Sequence, residues 1–104
     1  MENFNNFKLE FDAKVENVSF ARGVVSMFAA ELKPTLSEIN DLKTAVSEAV
    51  TNSVVHGYDG KDGKIILEMK IKDNKIDIWV TDFGKGIDDI DIALQPFFTS
   101  KAKE

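Results

Sequence analysis

Two alternating segments, Lys64 to Ile71 and Lys75 to Thr81, constrain this chain more than anything else in it. In the first, Ile65, Leu67, Met69 and Ile71 share one face; in the second, Ile76, Ile78 and Val80 do, while Trp79 points the other way. Period-two patterning of this kind specifies strands with one buried face. Asp73-Asn74 between them predicts a tight hairpin. Such a hairpin cannot fold alone, so the rest of the chain must cover its apolar side.

The upstream residues supply that cover. Phe7-Lys8-Leu9-Glu10-Phe11 alternates like a further strand. Val18, Ala21, Val25, Phe28 and Leu32 then recur at helical spacing, and Pro34 predicts a stop near Leu32. Thr35-Leu36-Ser37-Glu38 predicts a capping box opening a second helix. Its buried stripe is Ile39, Leu42, Val46, Ala49, Val50 and Ser53, and Gly57 reads as its C-terminal stop. Residues 59–63 read as a loop. After Gly86 the chain reads as irregular, with a short helix around Ile90 to Leu94. The expected fold is α+β: one domain over residues 1–104, a two-layer sandwich with a mixed or antiparallel sheet and helices on one face.

Composition narrows the function classes. The 104 residues carry a formal net charge of -5, with no basic cluster, which argues against direct nucleic-acid binding. Cysteine is absent, which excludes disulfides and thiolate metal sites. Neither a signal-peptide pattern nor a membrane-length apolar run is visible, so the expectation is a cytoplasmic chain without membrane contact.

Two runs could carry chemistry. Glu48 and Asn52 stand one helical turn apart, on a face away from the buried stripe. Taken alone, such a pair is usually a solvated flank. The sharper reading makes Asn52 an oxygen ligand for Mg²⁺ and Glu48 a general base. Asp82, Gly84 and Gly86 follow a strand directly. They read equally as a strand-ending turn or as an adenine pocket, in which a carboxylate accepts from the exocyclic amine and glycines let backbone approach a flat ring. Asp82-Phe83-Gly84 also spells the magnesium motif of eukaryotic-type protein kinases, but the other elements of that fold are missing. His56 reads as a helix cap and Arg22 as a solvated charge.

In this order the two runs resemble the N-box and first glycine box of the GHKL superfamily of ATPases and kinases. Ser19-Phe20-Ala21-Arg22, Val46 to Asn52, His56-Gly57-Tyr58 and Gln95 to Lys101 together resemble the bacterial anti-sigma factor serine kinases, nearest their sporulation branch. The resemblance covers essentially the whole chain. It implies a homodimer that holds a sigma factor inactive and uses ATP with Mg²⁺ to phosphorylate a serine of an anti-anti-sigma factor, releasing ADP. By position it makes Glu48 the catalytic base and Asn52 the Mg²⁺ ligand. It makes Asp82, Gly84 and Gly86 the adenine contacts, places Thr99 and Lys101 where the nucleotide lid begins, and turns Arg22 toward the protein partners. Family members continue into a second glycine box and further strands, whereas this sequence stops at Glu104. The expectation is therefore a C-terminally shortened version with a weakened phosphate clamp. The alternative is a non-catalytic module that binds a sigma factor or dimerises.

Overall fold

The computed structural model describes residues 4–59, 61–84 and the backbone of 86–93. The elements run in the order β1 (Phe4–Asp12), α1 (Glu16–Ala29), a 3₁₀ turn (Ala30–Leu32), α2 (Leu36–Asn52), a π-helical turn (Ser53–Gly57), β2 (Lys64–Lys72), β3 (Lys75–Asp82) and β4 (Gly86–Ala93). All four strands pair antiparallel in the order β1-β2-β3-β4. The expected α+β sandwich is the observed one, with its sheet fully antiparallel.

Alternation sets the register. Leu9, Leu67 and Val80 align across β1, β2 and β3, and so do Phe7, Met69 and Ile78. Ile65, Leu67, Met69, Ile71, Ile76, Ile78 and Val80 are completely buried. They meet Ala21, Val25 and Ala29 of α1 and Leu42, Val46 and Val50 of α2 in a single core. Each such aliphatic side chain contributes roughly 1.5–3 kcal/mol by leaving water. The opposite face carries Lys8, Glu68, Lys70, Asp77 and half-buried Trp79, with the Lys70 ammonium 5.9 Å from the Trp79 ring centroid.

The helix boundaries follow local chemistry. Winding from α1 ends at Leu32, and Lys33 takes a left-handed φ of 49° before Pro34. The Thr35 hydroxyl accepts from the Glu38 N–H at 3.1 Å, while the Glu38 carboxylate accepts from the Thr35 N–H at 2.8 Å. The predicted capping box is complete. Asp73 turns the β2–β3 hairpin with a φ of 55°, a conformation that aspartate tolerates better than most residues. An exposed pair between Lys64 and Asp12, at 2.6 Å, joins β2 to the end of β1; at such exposure it adds little stability.

The chain after Gly86 differs from the sequence expectation. Gly86–Ala93 is a strand, where irregular chain and a short helix from Ile90 were expected; Leu94 lies outside the described residues. In the ladder Ile90 stands opposite Ile78 and Ile92 opposite Ile76. The Ile-Asp-Ile alternation at 90–92 has period two and suits a pleated surface, and open ladder positions along β3 outweigh the weak helical pattern.

Replacing Thr35 with Ala removes one half of the capping box. Denaturant unfolding should show a loss of about 1 kcal/mol without a change in m-value.

Candidate functional site

The site is built where the end of α2 meets the end of β3. Asn52 is the last α-helical residue, and the winding then widens: the Tyr58 N–H donates to the Ser53 carbonyl at 3.0 Å, five residues back. Single π turns of this kind recur at functional sites. The wide turn carries Gly57 against the sheet. A Cβ at Gly57 would sit 2.7 Å from the Asp82 carboxylate oxygen Oδ2, closer than real Cβ atoms approach. A Cβ at Gly84 would collide with the Gly57 carbonyl. Gly57, Asp82 and Gly84 therefore form one close-packed junction.

Helical winding ends at Gly57, as expected, but not by a left-handed cap. Its φ is not left-handed, so glycine is required for close approach and not for backbone conformation. The sequence contained a signal for this in the His56-Gly57-Tyr58 run, but no spacing rule connects Gly57 to Asp82.

Tyr58 also escaped attention as an individual residue. Its hydroxyl accepts from the Phe83 N–H at 2.9 Å and donates to the Lys64 carbonyl at 2.5 Å. One phenol thus ties the helix end to the turn after β3 and to the start of β2. Gly63 leaves room for the ring, since a Cβ there would press into it.

Asp82 is 3% exposed, and its Oδ1 accepts from the Gly84 N–H at 3.0 Å. The carboxylate is held by the turn that follows it and covered by Gly57. Admitting a planar base beside it requires the Phe83-Gly84 segment to move off Gly57. Phe83 is 73% exposed, so that movement uncovers no buried ring. Gly86 opens β4 opposite Asp82 in the ladder.

Glu48 is exposed and Asn52 half-buried. With Ser47 and Thr51 they line a shallow pocket of about 340 Å³. The pocket fits a metal–nucleotide in its donor chemistry. Asn52 offers a hard amide oxygen, a donor type that Mg²⁺ accepts alongside phosphate oxygens. The pocket lies on the last turn of α2, and the Gly57–Asp82 contact lies on the π turn that continues it.

Arg22 is exposed on α1, distant in sequence from these groups, and its carbonyl accepts from the Ser26 hydroxyl at 2.8 Å. Phe20 and Met27 on the same helix are 47% and 73% exposed. His56 is exposed in the last turn, as expected of a cap. Thr99 and Lys101 lie outside the described residues.

Two substitutions probe the junction. Gly57→Ala forces a methyl group onto the Asp82 carboxylate and should destabilise the fold by more than the roughly 1 kcal/mol that alanine otherwise gains over glycine in a helix. Tyr58→Phe leaves the Phe83 N–H and Lys64 carbonyl without their phenolic partner, and because both bonds are exposed it should cost about 0.5–1.5 kcal/mol. Denaturant unfolding measures both, and hydrogen exchange at Phe83 should accelerate in the second.

Comparison with known proteins agrees with this architecture. Residues 11–103 match the histidine kinase-like ATPase domain family. The whole chain is 55% identical to the anti-sigma F factor of Thermoanaerobacter sp. (strain X514) and 54% identical to that of Caldanaerobacter subterraneus subsp. tengcongensis, covering 73% of each. The anti-sigma F factor of Clostridium kluyveri is 52% identical over 97 residues, 93% of this chain and 68% of the relative. No helix among the described residues is long and apolar enough to cross a membrane. The chain belongs to the histidine kinase-like ATPase domain family, within the group of anti-sigma F factors.

Proposed function

We propose that the protein is an anti-sigma factor that also transfers the γ-phosphoryl group of ATP to a serine hydroxyl of an anti-anti-sigma factor. The observation that carries this reading is the pairing of Glu48 with Asn52 in one pocket on the helix turn that leads into the Gly57–Asp82 contact. The kinship with anti-sigma F factors supports the sigma-factor partner.

In this reading Asp82 accepts a hydrogen bond from the adenine amine once the Phe83-Gly84 turn has opened. Gly84 and Gly86 let the backbone run close to the ring. Asn52 contributes its side-chain oxygen to Mg²⁺, which when bound with the triphosphate neutralises charge developing on the phosphoryl oxygens. Glu48, exposed beside it, takes the proton of the attacking serine hydroxyl as the new phosphate ester forms and ADP departs. Thr99 and Lys101 belong to this reading as lid contacts.

The exposed stripe of α1 supports a protein-docking role for the same chain. Phe20 and Met27 are seven residues apart, two turns along one exposed face, while Arg22 is exposed on a different side of the same helix. Homodimerisation is supported by β1, a nine-residue strand at one edge of the described sheet. A binding module without catalysis is the second reading, and this surface favours it.

Transfer of labelled phosphate from ATP to the anti-anti-sigma partner separates the two. Glu48→Gln should lower the rate about 10²- to 10⁴-fold while leaving nucleotide affinity near the parent value. Asn52→Ala should weaken Mg²⁺-dependent nucleotide binding. If Glu48→Gln transfers phosphate as fast as the parent, Glu48 is not the base. If no transfer occurs while the sigma factor is still bound through α1, the binding-module reading stands. An Arg22→Ala variant should weaken capture of the sigma factor without changing thermal stability.

A further inference from the structure

Ser53 is fully buried, and its hydroxyl finds no hydrogen-bond partner among the described residues. A buried hydroxyl in this state is costly, so its persistence needs a cause. Two other helical serines show the ordinary solution: Ser26 donates to the Arg22 carbonyl at 2.8 Å and Ser47 to the Lys43 carbonyl at 2.7 Å, each four residues back. Ser53 does not do this. Its N–H is shared between the Ala49 and Val50 carbonyls, but its hydroxyl reaches neither. Ser53 is also where the helix widens, its own carbonyl receiving the Tyr58 N–H.

Its position gives the orphan hydroxyl a use. Ser53 directly follows Asn52, and it lies one turn before Gly57, the residue packed on the Asp82 carboxylate. The wide turn therefore carries a buried hydroxyl one turn before the glycine that packs on the buried carboxylate at the end of β3. An exocyclic amine needs an acceptor, and the adjacent ring nitrogens of a purine need a donor. Asp82 can serve the first, and a hydroxyl can serve the second.

We infer that the Ser53 hydroxyl reads the nucleobase: it donates a hydrogen bond, directly or through one enclosed water, to a ring nitrogen of a purine held beside Asp82. This rests on the nucleotide reading above and extends it by one specificity residue. A buried water between otherwise unsatisfied groups is an ordinary part of protein interiors. The arrangement also accounts for the missing partner, because the hydroxyl is satisfied in the complex and orphaned without it.

The test compares the chain with its Ser53→Ala variant, using NMR titration with Mg-ADP, Mg-1-deaza-ADP and Mg-7-deaza-ADP. Thermal unfolding is measured without ligand. Removing an orphaned hydroxyl should leave the ligand-free melting temperature unchanged or higher, whereas ADP affinity should fall about fivefold. The parent should discriminate ADP from one deaza analogue, and the variant should lose that discrimination. A purely structural serine would instead lower the melting temperature and weaken all three ligands alike. That result overturns the inference, as does a variant that binds ADP like the parent. A parent chain giving no ADP-dependent shifts would remove the nucleotide reading itself, and this inference with it.

Discussion

The contact between Gly57 and the Asp82 carboxylate is the constraint on which the rest of this molecule's chemistry depends. It joins the end of the helical layer to the end of the sheet at a distance no other residue permits. A buried carboxylate is tolerable only with hydrogen-bond donors around it, and the Gly84 N–H supplies one at 3.0 Å. The Tyr58 hydroxyl then fixes the turn from outside, through Phe83 on one side and Lys64 on the other. The helix end, the start of β2 and the turn after β3 are thereby held in one arrangement, and the pocket containing Glu48 and Asn52 opens on the helix that leads into it.

Much of the fold was legible because its signals are local. The Ile65–Ile71 and Ile76–Val80 alternation specified two strands, the Asp73-Asn74 pair their turn, and Thr35 with Glu38 a helix start; all three are present in the structure. The residues after Gly86 were harder to read. Ile90-Asp91-Ile92 is too short a pattern to choose between helix and strand by itself. The choice is made by the free edge of β3, which sits in space and not in sequence.

The candidate site was legible in its parts and not in its assembly. Glu48 and Asn52 share a helix face by spacing alone, so their common pocket follows from period 3.6. Nothing in the spacing pairs Gly57 with Asp82, because 25 residues and a strand separate them. Tyr58 was recognisable only as part of a run, since a phenol's hydrogen bonds depend on where distant backbone passes. Ser53 looked like one more small residue on a buried stripe. Its significance lies in a hydrogen bond that is not made, which no sequence pattern records.

The π turn at Ser53–Gly57 has a consequence for how this end of the molecule can move. A π turn holds one residue more than the helix geometry it interrupts. Tightening it to ordinary α winding would rotate everything downstream by about 100° and advance it by about 1.5 Å. Gly57 would swing off the Asp82 carboxylate, and the phenol of Tyr58 would release Phe83. The same short rearrangement would uncover the carboxylate and unlatch the turn above it. Ladder register in the helix and access to the acid are thus mechanically the same coordinate.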